Sequence, residues 1–237
     1  MPNSFARPVT VPRSETWTAP LEKTTFTSAR TALPGLTAQI ALGFALIELA
    51  LWAPIGLPTA LLSLAALAWV FIFSIAGEFS ASAMGLGRPQ LRGSLWMIAI
   101  ALALAGSIAF SSRLLASGEP SLHRMEFGAA SLYALWALVQ QFLLQSFFFV
   151  RLERLLDGKR AVVAAALLFA AAHIPNLLLT LFSFLGGLFF CQMFRRYRNV
   201  YVLGFAHAVL GLTLAASFSD ARLHHMLVGM GYMLFNS

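Results

Sequence analysis

Residues 127–150 read FGAASLYALWALVQQFLLQSFFFV, a stretch of 24 residues without an Asp, Glu, Lys or Arg. At about 1.5 Å per residue a helix of this length reaches ~36 Å, enough to cross ~30 Å of hydrocarbon. Yet it carries three amides, Gln140, Gln141 and Gln145. Polar groups in a span are costly and mark sites by default. The stretch therefore points to a membrane helix that also contributes to a polar interior.

The rest of the chain repeats the apolar pattern. Of 237 residues, 59% are hydrophobic and 11% charged, against about 25% charged in soluble domains. Seven further apolar runs stand at about Leu36–Trp52, Thr59–Ala76, Ser94–Phe110, Ala161–His173, Leu177–Phe194, Val200–Phe218 and Leu223–Phe235. The expected fold class is all-α: a polytopic membrane bundle of about eight transmembrane helices over residues 34–237. Two of these runs, Ala161–His173 and Leu223–Phe235, are short and are expected to be tilted, buried or incomplete spans. Residues 1–33 hold Arg7, Arg13, Lys23 and Arg30 among Ser, Thr and Pro. Without an apolar stretch of the kind a secretory signal needs, they read as a disordered polar cytoplasmic tail.

The net charge is +7. With the tail inside, 13 of the 16 bases fall on one side of the membrane and Arg113, Arg124 and Arg222 on the other. This asymmetry places both termini in the cytoplasm. The bases sit in short loops rather than along one face, which argues against a nucleic-acid partner. Cys191 is the only cysteine, so an intrachain disulfide framework is excluded. No cofactor motif is present.

Few polar groups lie within the runs: the three glutamines, His173 followed by Asn176, His207, and Glu48 as the only acid well inside a span. Measured from the cytoplasmic ends, Gln141, His207, His173 and Glu48 lie roughly 13–20 Å deep. They are thus expected to meet in one layer. Gln141 and Gln145 share a helix face, and Gln140 points about 100° away from Gln141. Glutamines and histidines in a bundle also serve simply to cross-link helices. Glu48 reads first as a structural residue. His224 and His225 read as solvated.

These residues fall into a known order. Gln140-Gln141-Phe-Leu-Leu-Gln145 resembles a Glu-Glu-x-x-x-Arg motif, Phe169-Ala-Ala-Ala-His173 a Phe-x-x-x-His motif, and His207-Ala-Val-Leu-Gly211 half of a His-x-x-x-Asn/Asp motif. Over about residues 127–218 the chain is similar to the CPBP intramembrane proteases, also called the CAAX protease and bacteriocin-processing (Abi-like) family. The resemblance implies a bacterial inner-membrane protein acting on a membrane protein or peptide. It implies catalytic positions at His173, His207, Gln140 and Gln141, and substrate-binding positions at Gln145, Phe169, Asn176 and Glu48.

The departures from that pattern bear on activity. In the family, glutamates and histidines activate a water that attacks a peptide carbonyl. A general base must accept a proton, and a glutamine amide has almost no basicity. Gln145 in the arginine's place removes a positive charge together with the two negative ones. Gly211 removes the polar partner of His207. For zinc, His173 and His207 supply two of the usual three protein ligands, with Glu48 the only candidate third, so no metal is expected. No Gly-x-Ser-x-Gly nucleophile motif is present, and Cys191 in apolar surroundings is a poor nucleophile. Two functions follow: a protease with a rewired site, its base Glu48 or a histidine, or a non-catalytic member that binds a peptide, lipid or partner protein. A transporter is disfavoured by the scarcity of ionisable groups in the spans.

Overall fold

The computed structural model describes residues 35–76, 78–87, 91–115, 126–218 and 223–235. The tail expected over residues 1–33 lies outside them. The described residues form helices joined by short loops, with no strand among them. α1 (Leu36–Trp52) and α2 (Leu57–Ile75) make a hairpin, and Pro58 sits in the first turn of α2, where its missing N–H costs nothing. A short α3 (Leu91–Ser94) leads into α4 (Trp96–Leu115). α5 (Phe127–Gln141) continues as a π-helix (Phe142–Phe149) and then as α6 (Val150–Leu155). α7 (Gly158–Ala171), α8 (Leu177–Tyr197) and α9 (Val200–Ser217) follow, then a 3-10 turn (His224–Met226) and α10 (Gly229–Phe235).

Among the described residues, five helices are long and apolar enough to cross a membrane: α2, α4, the 29-residue α5–π–α6 unit, α8 and α9. α1, at 17 residues, is a shorter apolar helix. The two runs read as short remain short. α7 has 14 residues and rises ~21 Å, while α10 has seven and rises only ~10 Å, an incomplete span. Large apolar side chains such as Leu57, Leu64, Phe71, Leu132 and Leu181 lie exposed along the outer faces, as a lipid-facing surface requires. The protein is an integral membrane helical bundle.

Polar side chains start the later helices. The Asp157 carboxylate accepts from the Lys159 and Arg160 amides at the start of α7. The hydrogen bond from the Arg160 amide is the main cause holding that carboxyl below its ordinary range. Asn176 and Asn199 cap α8 and α9 in the same way. α7 packs on α8, and α9 on both α4 and α5. At the α7–α8 contact Gly187 is needed, because a Cβ there would lie 3.0 Å from the Ala166 Cα. A core of Met97, Leu144, Phe149, Phe190, Phe194 and Leu203 fills the centre.

One cation that the sequence reading places in a loop packs among the helices instead. Arg151, counted there as a cytoplasmic loop residue, has no solvent exposure. Its Nε donates to Gln39 Oε1 at 2.7 Å, and its two terminal nitrogens to the carbonyls of Phe147 and Phe73 at 2.9 Å. The guanidinium also stacks 4.0 Å from the Phe147 ring centroid. Gln39 in turn donates to Glu78 and its carbonyl accepts from the Trp69 indole. Arg151 thus ties α1 and α2 to the helix that carries the glutamines. Replacing it by Met removes the charged donor shared by Gln39 Oε1 and the Phe147 and Phe73 carbonyls. The expected loss is about 3 kcal/mol in a denaturant titration of the detergent-solubilised protein. Arg151→Lys should recover only part, since one ammonium cannot reproduce the planar fork. Wild-type stability in Arg151→Met would refute this role.

Candidate functional site

A cavity of about 690 Å³ lies among α1, α2, α4, α5, α7, α8 and α9. Apolar side chains dominate its wall, among them Phe44, Ile47, Leu67, Leu104, Phe148, Phe182 and Leu214. Its polar lining comprises Thr59, Ser63, Tyr133, Gln140, His173, Ser183 and His207. No Asp or Glu is among the described residues that line it.

His173 follows the last turn of α7. Its Nδ1 lies 2.6 Å from the Phe169 carbonyl. A carbonyl only accepts, so Nδ1 carries the proton and, in the neutral ring, Nε2 keeps its lone pair. The Phe169 ring packs edge-on against both His173 and His207, with centroids at 4.8 and 5.8 Å. Phe169 is thereby the spacer that holds the two imidazoles on one cavity wall.

His207 is oriented from behind. Gln145 Nε2 donates to Gln141 Oε1 at 3.2 Å, and Gln141 Nε2 meets His207 Nδ1 at 3.2 Å. Both glutamines are fully buried. The far end of the relay, Gln145 Oε1, has no conventional hydrogen-bond partner and meets the weakly polar Cys191 thiol. An amide nitrogen only donates, so His207 Nδ1 accepts and its proton sits on Nε2. The cavity therefore faces an acceptor on His173 and a donor on His207. Gln140 points away from the relay and into the cavity, as its 100° offset from Gln141 requires.

The other expected site residues lie elsewhere. Asn176 is buried with both ends of its amide engaged: Oδ1 caps α8, and Nδ2 donates to the carbonyls of Leu223 and Leu227. Glu48 accepts from the Trp52 indole one turn along α1 and is absent from the cavity wall, although its neighbours Ile47 and Leu51 belong to it. Among the described residues, no group of three His, Cys, Asp or Glu converges to hold a metal. His224, expected to be solvated, is half-buried against Tyr232 at 4.6 Å, while His225 is exposed. Sequence reasoning passed over Tyr133, although Tyr133, Trp136 and Gln140 stand at i, i+3 and i+7, the spacing of one helix face.

The relay makes a spectroscopic prediction. In ¹⁵N-histidine-labelled protein, His207 should show a proton on Nε2 and none on Nδ1. Gln141→Leu should abolish that preference, and Gln145→Leu should weaken it without touching the ring. A wild-type His207 protonated on Nδ1 would show that the relay runs the other way.

The sequence comparisons bear on the same elements. A family model described as type II CAAX prenyl endopeptidase Rce1-like matches residues 93–213, just over half of the chain. No curated protein and no solved structure matches the chain. The matched region runs from α3 to α9 and contains the glutamines, both cavity histidines and Gly211. On that match, the chain belongs to the Rce1-like family of type II CAAX prenyl endopeptidases.

Proposed function

We propose that this protein binds the apolar-tailed end of a membrane-tethered peptide in its cavity and holds it without hydrolysing it. The observation that carries this reading is the neutrality of the polar lining. Amides, imidazoles and hydroxyls are present, and no carboxylate is among the described lining residues. The resemblance implies that a carboxylate takes the proton from the attacking water, and the amides that stand in its place cannot do so. Binding needs only donors and acceptors set in an apolar, well-formed pocket of this size. Here the His207 Nε2–H would donate to a peptide carbonyl. His173 Nε2 and Gln140 would meet peptide N–H groups, and the apolar wall would take the tail. Gln141 and Gln145 would act through His207.

A second reading keeps family-like peptide hydrolysis, with His173 as the base. Its support is the His173 ring itself, locked with a lone pair on the cavity side. The charge asymmetry of the loops supports cytoplasmic termini.

Proteoliposomes separate the two readings. A lipid-tailed peptide bearing a photo-crosslinker should label the wild type, and excess unlabelled lipopeptide should compete. Mass spectrometry should find the peptide intact. Cleavage that disappears in both His173→Ala and His207→Ala would overturn the binding reading in favour of a protease. Absence of labelling would overturn both.

A further inference from the structure

We propose that the Tyr133 hydroxyl is a second hydrogen-bond donor to the ligand carbonyl bound by His207, seated in the space that a side chain at position 211 would otherwise fill. This rests on the cavity holding a carbonyl-bearing ligand, as proposed above.

Tyr133 lies on α5 and lines the cavity on the same helix face as Gln140. Gly211 stands one turn beyond His207 on α9, and both line the cavity. Residues at i and i+4 have neighbouring side chains, about 6 Å apart. A Cβ added at Gly211 would overlap the Tyr133 hydroxyl and lie 2.6 Å from Cζ and 2.8 Å from Cε1. The end of the phenol therefore sits directly over the Gly211 backbone, next to His207.

The glycine is not explained by helix approach alone. One heptad earlier, at Gly204, a Cβ would meet the Leu138 side chain at 2.6 Å and also the backbone of α5, at the Leu138 Cα 3.2 Å away. That glycine lets the two helices come close. At Gly211 the three nearest atoms all belong to the Tyr133 phenol, its hydroxyl foremost, and none to the backbone. No hydrogen bond joins the Tyr133 hydroxyl to any described residue, and the group is not sealed from the cavity. A tyrosine O–H in such surroundings normally finds a partner. Here the open side is the cavity. A carbonyl oxygen has two lone pairs, so it accepts from His207 Nε2–H and Tyr133 O–H together. Paired donors of this kind stabilise charge on a carbonyl oxygen.

Tyr133→Phe removes the hydroxyl and keeps the ring. A palmitoyl-tailed tripeptide with one ¹³C-labelled carbonyl serves as probe in phosphatidylcholine nanodiscs. The variant should melt like the wild type, bind the probe about tenfold more weakly, and show the labelled C=O stretch at higher frequency, because one hydrogen bond is gone. A merely structural role for Tyr133 would not move that band. Unchanged affinity with an unchanged band overturns this inference and leaves the binding reading standing. Failure of the wild type to bind the probe overturns both. Gly211→Ala gives a check that needs no ligand: it should destabilise the wild type more than a Tyr133→Ala background. Equal effects in the two backgrounds would overturn the packing on which the proposal stands.

Discussion

A guanidinium sealed from water dictates much of this architecture. Arg151 cannot leave its charge unsatisfied in an apolar bundle, where each unpaired polar group costs several kcal/mol. It recruits one acceptor from each of three elements: Gln39 of α1, the Phe73 carbonyl of α2, and the Phe147 carbonyl of its own helix. The Phe79 and Phe147 rings supply further electrostatic contacts. The first hairpin is thereby fixed against the helix that bears the glutamines, and the cavity exists because that hairpin forms one of its walls. The π-helical segment between Gln141 and Arg151 sits between these two polar centres. In it the amide of Val150 bonds to the Gln145 carbonyl, five residues back. Such segments recur at functional sites because they re-aim side chains.

The cavity, unlike the Arg151 cluster, is lined without a formal charge. An ion at mid-bilayer costs about 2.5–3.5 kcal/mol even on the most lenient scale. Amides avoid that cost and still specify geometry, because each has one donating and one accepting end. The Gln145–Gln141–His207 relay uses this polarity to fix the direction of hydrogen bonding at a ring nitrogen. His173 is fixed independently, by a backbone carbonyl of its own helix. Two residues of one type thus present opposite faces to the same space.

The sequence made the helices legible because the apolar runs are long and few charges interrupt them. The meeting of Gln141, His173 and His207 was legible as well, since depth along each helix follows from residue counts. Other features depend on what a linear count cannot hold. Glu48 has a suitable depth, but its azimuth on α1 turns it toward Trp52. Asn176 stands beside His173 in sequence, yet it serves as a helix cap and as the anchor of the segment at Leu223–Leu227. Arg151 ends an apolar run and so looks like a loop cation, and only its partners from α1 and α2 reveal it as interior. Tyr133 was readable from heptad spacing, but its meaning depends on a glycine 78 positions away on another helix.

The Arg151 cluster also bears on biogenesis. Gln39 and Arg151 are 112 residues apart. At a translation rate of about 5–20 residues per second, the first hairpin precedes its partner from the ribosome by roughly 6–22 seconds. During that interval Gln39 and Glu78 are in or near the bilayer without the cation that organises them. Until then the hydrogen bond between Gln39 and Glu78 is a polar contact this segment can make by itself, and the tie through Arg151 can form only once that residue is made.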